Sequence, residues 1–135
     1  MQLRATIVRD ACAEHGALYE VMGRYAQSVI AQMMQTTACN ALHPVNERCA
    51  RWLLMTHDRM RFQEFRLSHE FLAVMLGVQR PTVSLVAGTL QAKGLIRYAH
   101  GHVHVLDRQG LEDAACGCYA VIRGYFDAIK VAHVA

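Results

Sequence analysis

The side chains of this sequence best suited to chemistry sit in two places. The first is the run Gln79-Arg80-Pro81-Thr82-Val83-Ser84-Leu85. There a guanidinium with five donors stands beside two hydroxyls that both donate and accept, a set suited to reading polar edges or phosphate oxygens. The second is a group of thiols and an imidazole. Cys39 and His43 are four residues apart, one helical turn, so both can face one ion. Cys116 and Cys118 are two apart, a spacing that on a helix sends them to different sides. Together the four would make a zinc or iron–sulfur site of three cysteines and one histidine. Buried structural thiols are the preferred reading, because free cysteine packs as a small hydrophobe. No metal and no cofactor is therefore expected, with Cys39, His43, Cys116 and Cys118 as the candidates if there is one. There is no glycine-rich phosphate loop, nucleophile elbow or paired-carboxylate arrangement, and no cysteine–histidine dyad has a supporting geometry. The chain is read as not an enzyme.

What must position the first group is Leu67 to Lys93, LSHEFLAVMLGVQRPTVSLVAGTLQAK. Ser68 is a good N-cap, and Glu70 places a negative charge in the first helical turn. Phe71, Leu72, Met75 and Leu76 then share one face at helical spacing. Gly77 ends the helix, as a residue able to adopt positive φ. Pro81 fits only near the start of a second helix, to which Val83, Val86 and Leu90 give an apolar stripe. Ala73 is small enough to let that helix cross closely. With the valines turned inward, Gln79, Arg80, Pro81, Thr82, Ser84, Leu85 and Gly88 face outward. A DNA-binding helix-turn-helix reads bases from this end of its second helix. That reading is preferred to an ordinary helical hairpin.

At this point the sequence resembles a family. CNALHPVNERCARWLL (Cys39 to Leu54), the helix pair, and LIRYAHGHVHVLDRQGLEDAACGCY (Leu95 to Tyr119) are similar in order, spacing and content to the C-terminal DNA-binding domain of the Crp/Fnr bacterial transcription regulators. The resemblance runs from about Ala17 to Tyr119. It implies a winged helix domain preceded by a long dimerisation helix. In the family an N-terminal β-roll binds a cyclic nucleotide or another effector. Nothing in this sequence matches that roll, so only the C-terminal part of such a regulator, lacking the sensor domain, is expected here. In many members a glutamate and a second arginine stand where Pro81 and Leu85 stand, so the family's usual base preference does not carry over. Relatives that sense oxygen or redox state do so through cysteines of the sensor region, so the resemblance assigns no ligand role to the cysteines here.

The remaining elements follow from periodicity. Residues 3 to 13 suggest a short helix around Leu3, Ile7, Val8 and Ala11, and Gly16 interrupts it. From Ala17 to about Ala41, Leu18, Met22, Tyr25, Val29, Gln32, Thr36 and Cys39 recur at alternating spacings of four and three, the coiled-coil period. Val21, Ile30, Met33 and Met34 widen the apolar surface. A two-fold dimer seam is preferred to a helix buried in a monomer. Pro44 opens another helix, Val45 to about Met60, with Val45, Cys49, Trp52, Leu53 and Thr56 on one side. Arg48, Arg51 and Arg59 point elsewhere and read as a solvated face. Arg61 to Arg66 reads as an extended connector. Leu95 to Leu106 predicts a hairpin with a His100-Gly101 turn, pairing Tyr98 with Val103 and Ile96 with Val105. Arg97, His102 and His104 lie on its opposite face. Asp107 caps a final helix striped by Leu111, Ala115, Cys118, Ile122, Tyr125 and Ile129.

Composition agrees. Of the 135 residues, 53% are hydrophobic, enough for a core, and the formal charge is +3, which permits nucleic-acid binding without requiring it. The first ten residues lack an apolar signal-peptide segment and no apolar run reaches membrane-span length, so a cytoplasmic protein with reduced thiols is expected. The fold expected is mainly α: a winged helix-turn-helix with a small β-hairpin wing (residues 42–135), preceded by an N-terminal helix and a dimerisation helix (residues 1–41). The function expected is sequence-specific binding of double-stranded DNA by a homodimer, to regulate transcription, with RNA polymerase as a further partner to consider. Arg80 is assigned to a guanine; Thr82 and Ser84 to bases or phosphates; Pro81 and Leu85 to a thymine methyl. Ser68, His69 and Gln79 are assigned to the phosphate backbone, and Arg97 and His102 to phosphates under the wing. Leu18, Met22, Tyr25, Val29 and Thr36 are assigned to the dimer seam. Two rivals stay open: a protein–protein dimerisation module, and a metal or redox sensor built on the Cys/His set.

Overall fold

A computed structural model describes residues 4–13, 16–60 and 64–131. The chain runs α1 (Ala5–Ala13), α2 (Ala17–Leu42), α3 (Val45–Arg59), β1 (Glu64–Arg66), α4 (His69–Leu76), α5 (Arg80–Ala92), β2 (Ile96–Ala99), β3 (His102–Val105), α6 (Arg108–Asp113) and α7 (Cys118–Val131). It divides into two compact units. The larger is Thr36–Val121; the smaller takes Met1–Gln35 and Ile122–Ala135. Among the described residues no single helix is long and apolar enough to cross a membrane.

The larger unit is a mainly α winged helix-turn-helix. Ser68 caps α4 by accepting from the Phe71 amide at 3.1 Å. Gly77 ends that helix at φ 64°, a conformation that places Cβ against the carbonyl in any other residue. α5 follows after two residues, with Pro81 in its first turn, where a missing N–H leaves no helical bond unmade. The two helix axes turn through 102°, the crossing expected of a helix-turn-helix. Leu72, Ala73 and Leu76 of α4 meet Val83, Val86 and Leu90 of α5 in the core, joined by Leu53 and Leu54 of α3. Phe71 departs from the predicted face: it is 51% exposed. An eight-residue helix covered on one side buries only the central stripe of its apolar surface, and Phe71 lies on the flank.

The hairpin forms as expected, with Ile96 opposite Val105 and Tyr98 opposite Val103. His100 and Gly101 adopt φ of 51° and 77°, the two left-handed residues of a tight hairpin turn. The predicted connector is partly a strand: Glu64–Arg66 pairs antiparallel with β3, giving the sheet order β1-β3-β2. The period-two burial of Phe65 between exposed Glu64 and Arg66 lets β1 cover the open edge of β3. Arg61, at the start of that connector, lies outside the described residues.

Two further expectations change. The arginines of α3 are not one solvated face. Arg51 is fully buried. It donates to Thr36 Oγ1 at 3.3 Å, lies against Met55 Sδ, and sits 5.9 Å from the centroid of the Trp52 ring. Arg48 is half-buried, because it donates at 2.9 Å to the Leu76 carbonyl, one of the acceptors that the end of α4 leaves without a helical partner. Only Arg59 of the three is exposed. The predicted final helix is in fact two. Asp107 caps only α6, accepting from the Gly110 amide at 2.9 Å, and the chain then turns at Ala114–Gly117 before α7.

Arg108 ties these pieces together. It donates to Asp58 Oδ1 (2.7 Å), to the Tyr119 hydroxyl (2.6 Å) and to His57 Nδ1 (2.7 Å), and pairs with Glu112 at 3.0 Å. To accept that bond His57 must be neutral at Nδ1. Burial first, then the Arg108 guanidinium and His104, hold its pKa below the ordinary 6.5, against the opposing pull of Asp58. The unfolded chain therefore takes up this proton before the folded one does. The contribution of His57 to stability is intact above about pH 6.5 and is lost as pH falls below it towards the folded value. Melting temperature followed from pH 7.5 to 5 should fall more steeply for the wild type than for His57→Gln, whose amide oxygen accepts from Arg108 at any pH. Parallel curves would remove His57 from this role.

In the smaller unit, α1 buries none of its described residues. Ser28 of α2 is buried, its hydroxyl within donating distance of the Arg24 and Tyr125 carbonyls (3.0 and 3.2 Å). The Tyr25 and Phe126 rings meet edge to face at 6.1 Å.

Candidate nucleic-acid interface

The exposed flank of α5 carries Arg80, Pro81, Ser84, Leu85 and Gly88, with Gln79 just before the helix; Thr82 alone of the predicted set is half-buried. Leu85 is 73% exposed, an apolar side chain held in solvent beside polar ones. Arg80 Nε lies 2.9 Å from Glu70 Oε1, both side chains more than 60% exposed. The backbone amide at the start of α4 is the main cause holding the Glu70 carboxyl below its ordinary value; desolvation opposes it, and Arg80, the Ser68 hydroxyl and His69 add to the lowering. The carboxylate takes the Nε edge of the guanidinium, and the two terminal nitrogens are a pair that can match two acceptors on one base.

Behind this face runs a polar chain joining both helices to the wing. Ser84 Oγ is 3.0 Å from His69 Nδ1. The His69 ring stacks on Tyr98 of β2 at 4.4 Å. Tyr98 donates its hydroxyl to the Leu67 carbonyl, and its amide donates to Gln91 Oε1 at 2.8 Å. So His69 and Ser84, predicted as separate contacts, belong to one connected network. By sequence Glu70 is only a charge in the first turn of a helix and Tyr98 only a hairpin pair, and Gln91 carries no role, because each partner at this site lies on a different element. On the wing, Arg97 is exposed and faces His104 across the sheet. His102 lies 3.1 Å from Glu64 Oε1, so a carboxylate stands beside the imidazole assigned to phosphate.

Of the seam residues, Leu18, Met22 and Tyr25 are 41%, 48% and 55% exposed, as are neighbouring Ile30 (57%) and Met34 (70%). Val29 is half-buried. Thr36 accepts from Arg51, and Cys39 is fully buried, so the last part of the four-three repeat serves the core of the larger unit. The Cys/His candidates are brought together: Cys39 Sγ and Cys116 Sγ are 3.4 Å apart, and Cys118 Sγ and His43 Nδ1 3.6 Å apart.

Comparison with known proteins agrees with this geometry. Residues 47–114 match the family described as the Crp-like helix-turn-helix domain. Among solved structures, the CRP-family transcriptional regulator TTHB099 of Thermus thermophilus is 31% identical over 64% of this chain and 47% of its own (TM-score 0.56). The CRP/FNR-family regulator TTHA1359 of the same organism is 26% identical over the same shares (TM-score 0.57). FixK2 of Bradyrhizobium japonicum, at 16% identity, shares the fold over 85% of this chain and 60% of its own (TM-score 0.73). The chain thus spans about half the length of the two Thermus regulators. No curated protein matches it. The matched segment holds the whole of α4, α5 and the wing, with Arg80 on its exposed edge, and the chain belongs to the family of the Crp-like helix-turn-helix domain.

Proposed function

We propose that the protein is a cytoplasmic homodimer that binds a two-fold DNA operator and regulates transcription. The observation that carries this reading is the start of α5, where Arg80, Pro81, Ser84 and Leu85 project together into solvent. In the mechanism proposed, that turn enters the major groove. Arg80, steadied by Glu70, donates to the O6 and N7 of one guanine, while Pro81 and Leu85 pack on a thymine methyl. Ser68, His69 and Gln79 meet the phosphates beside the two helix N-termini, and Arg97 of the wing meets those further along. Two protomers joined along α2 present two such helices.

The test is an operator selected from random duplexes and measured by mobility shift. Two half-sites roughly 34 Å apart, one helical turn, are expected. Inserting half a turn between them puts the second half-site on the opposite face of the duplex, so it should weaken binding as much as deleting one half-site. Equal binding with and without the insertion would end the dimeric reading. Failure to select any sequence would end the DNA-binding one.

A further inference from the structure

Four metal-ligating side chains from two stretches of chain, residues 39–43 and 116–118, converge in the larger unit. Cys39 lies in the last turn of α2, His43 at the bend before α3, Cys116 in the connection after α6, and Cys118 at the first position of α7. Their ligand atoms all lie within 4.8 Å of one another; the three cysteines are buried and the histidine is half-buried. Cys116 and Cys118 do not diverge as residues two apart on one helix would. Cys116 precedes α7 and only Cys118 is helical, so the turn between them folds both thiols inward.

We propose that Cys39, His43, Cys116 and Cys118 bind one zinc ion as a closed structural site. Bonds of about 2.3 Å to sulfur and about 2.1 Å to nitrogen around a tetrahedral centre place ligand atoms roughly 3.5–3.8 Å apart. The observed 3.4 and 3.6 Å pairs and the 4.8 Å limit match one ion. They leave no room for a cluster of several irons between the ligands. Three soft thiolates and an imidazole are zinc's donors, and four protein ligands leave no coordination position open for water, which marks a structural rather than a catalytic site. On binding, the thiols give up their protons to solvent, three in all if none is ionised beforehand, and no electron is transferred. The ion would staple the end of α2 and the α2–α3 bend to the α6–α7 connection. His43 and Cys116 also line an open cavity of about 420 Å³ with Asn46, Glu47 and Lys93, which gives the metal a route in. This assignment does not depend on the DNA-binding reading.

The whole chain, purified under reductant, should contain about one zinc per chain by elemental analysis. Cobalt exchanged into it should show the intense visible bands of a tetrahedral ion with thiolate charge transfer. Cys118→Ser and His43→Ala should each reduce bound zinc to a small fraction, while Cys12→Ser, a thiol on α1, should keep all of it. Should the site variants not fold, the wild type decides. Removing zinc with a chelator should lower Tm by about 10 °C or more, and adding zinc should restore it. Reduced wild-type protein that takes up neither zinc nor cobalt, weak octahedral cobalt bands, or iron with a visible chromophore would each overturn the assignment. So would a Cys39–Cys116 disulfide in protein kept anaerobic, or zinc lost equally from Cys12→Ser.

Discussion

Replacing Met22 and Ile30 together by glutamate should convert the protein to a monomer of about one chain mass, 15.1 kDa. Operator affinity should fall by about 100-fold or more, the gain that linking two binding modules supplies. Both side chains are about half exposed in the single chain, so the substitutions remove little from its core. In a dimer along α2 they would place charges at a desolvated seam, where an unpaired carboxylate is costly. Sedimentation equilibrium at micromolar concentration measures the first effect, and mobility shift on operator and half-operator measures the second. A double variant that keeps twice the chain mass would move the seam off this face of α2. A monomeric variant that binds the operator unchanged would show that dimerisation is not what holds the complex.

Arg80→Ala should cost about tenfold or more on the selected operator and much less on random duplex. The physical reason is that a guanidinium donating twice to one guanine discriminates by about 1–3 kcal/mol. A phosphate contact would weaken every sequence alike and lower the salt slope by about one. Both duplexes must therefore be measured across several salt concentrations. Glu70 refines the test. It holds Arg80 Nε at 2.9 Å, so Glu70→Gln replaces the ion pair by a weaker neutral contact and removes a negative charge from the side proposed to meet DNA. Binding to random duplex should rise while the ratio of operator to random affinity falls. Equal losses on both duplexes for Arg80→Ala would make Arg80 a backbone clamp. An unchanged ratio for Glu70→Gln would make the ion pair a surface contact without function, as many exposed pairs are.

The helix-turn-helix and the wing were legible in the sequence because their signals are local. Ser68 caps a helix three residues on, Gly77 supplies the left-handed residue its own turn requires, and Pro81 is tolerated only near a helix start. His100-Gly101 sets the hairpin register by the twist of two residues. Each of these acts within one turn of chain, so residue type and spacing suffice. The outward face of α5 followed from the inward one, since Val83, Val86 and Leu90 leave only one side for Arg80, Ser84 and Leu85.

What only the tertiary structure decided depends on groups far apart in the chain. Arg51 looks like a surface arginine by spacing, yet Thr36, Met55 and Trp52 enclose it. Glu64–Arg66 becomes a strand because β3 has an edge to offer. Glu70 meets Arg80 because the two helices cross at 102°. Cys39 and His43 stand 77 and 75 residues from the thiols they approach, Cys116 and Cys118 respectively, and a break between α6 and α7 turns those thiols the same way. Local sequence encodes the backbone preferences of each element, whereas the meeting of two side chains across such loops depends on how the elements pack. The exposed flank of α5 was therefore open to sequence reasoning, while the convergence of the cysteines and histidine emerges only in the folded chain.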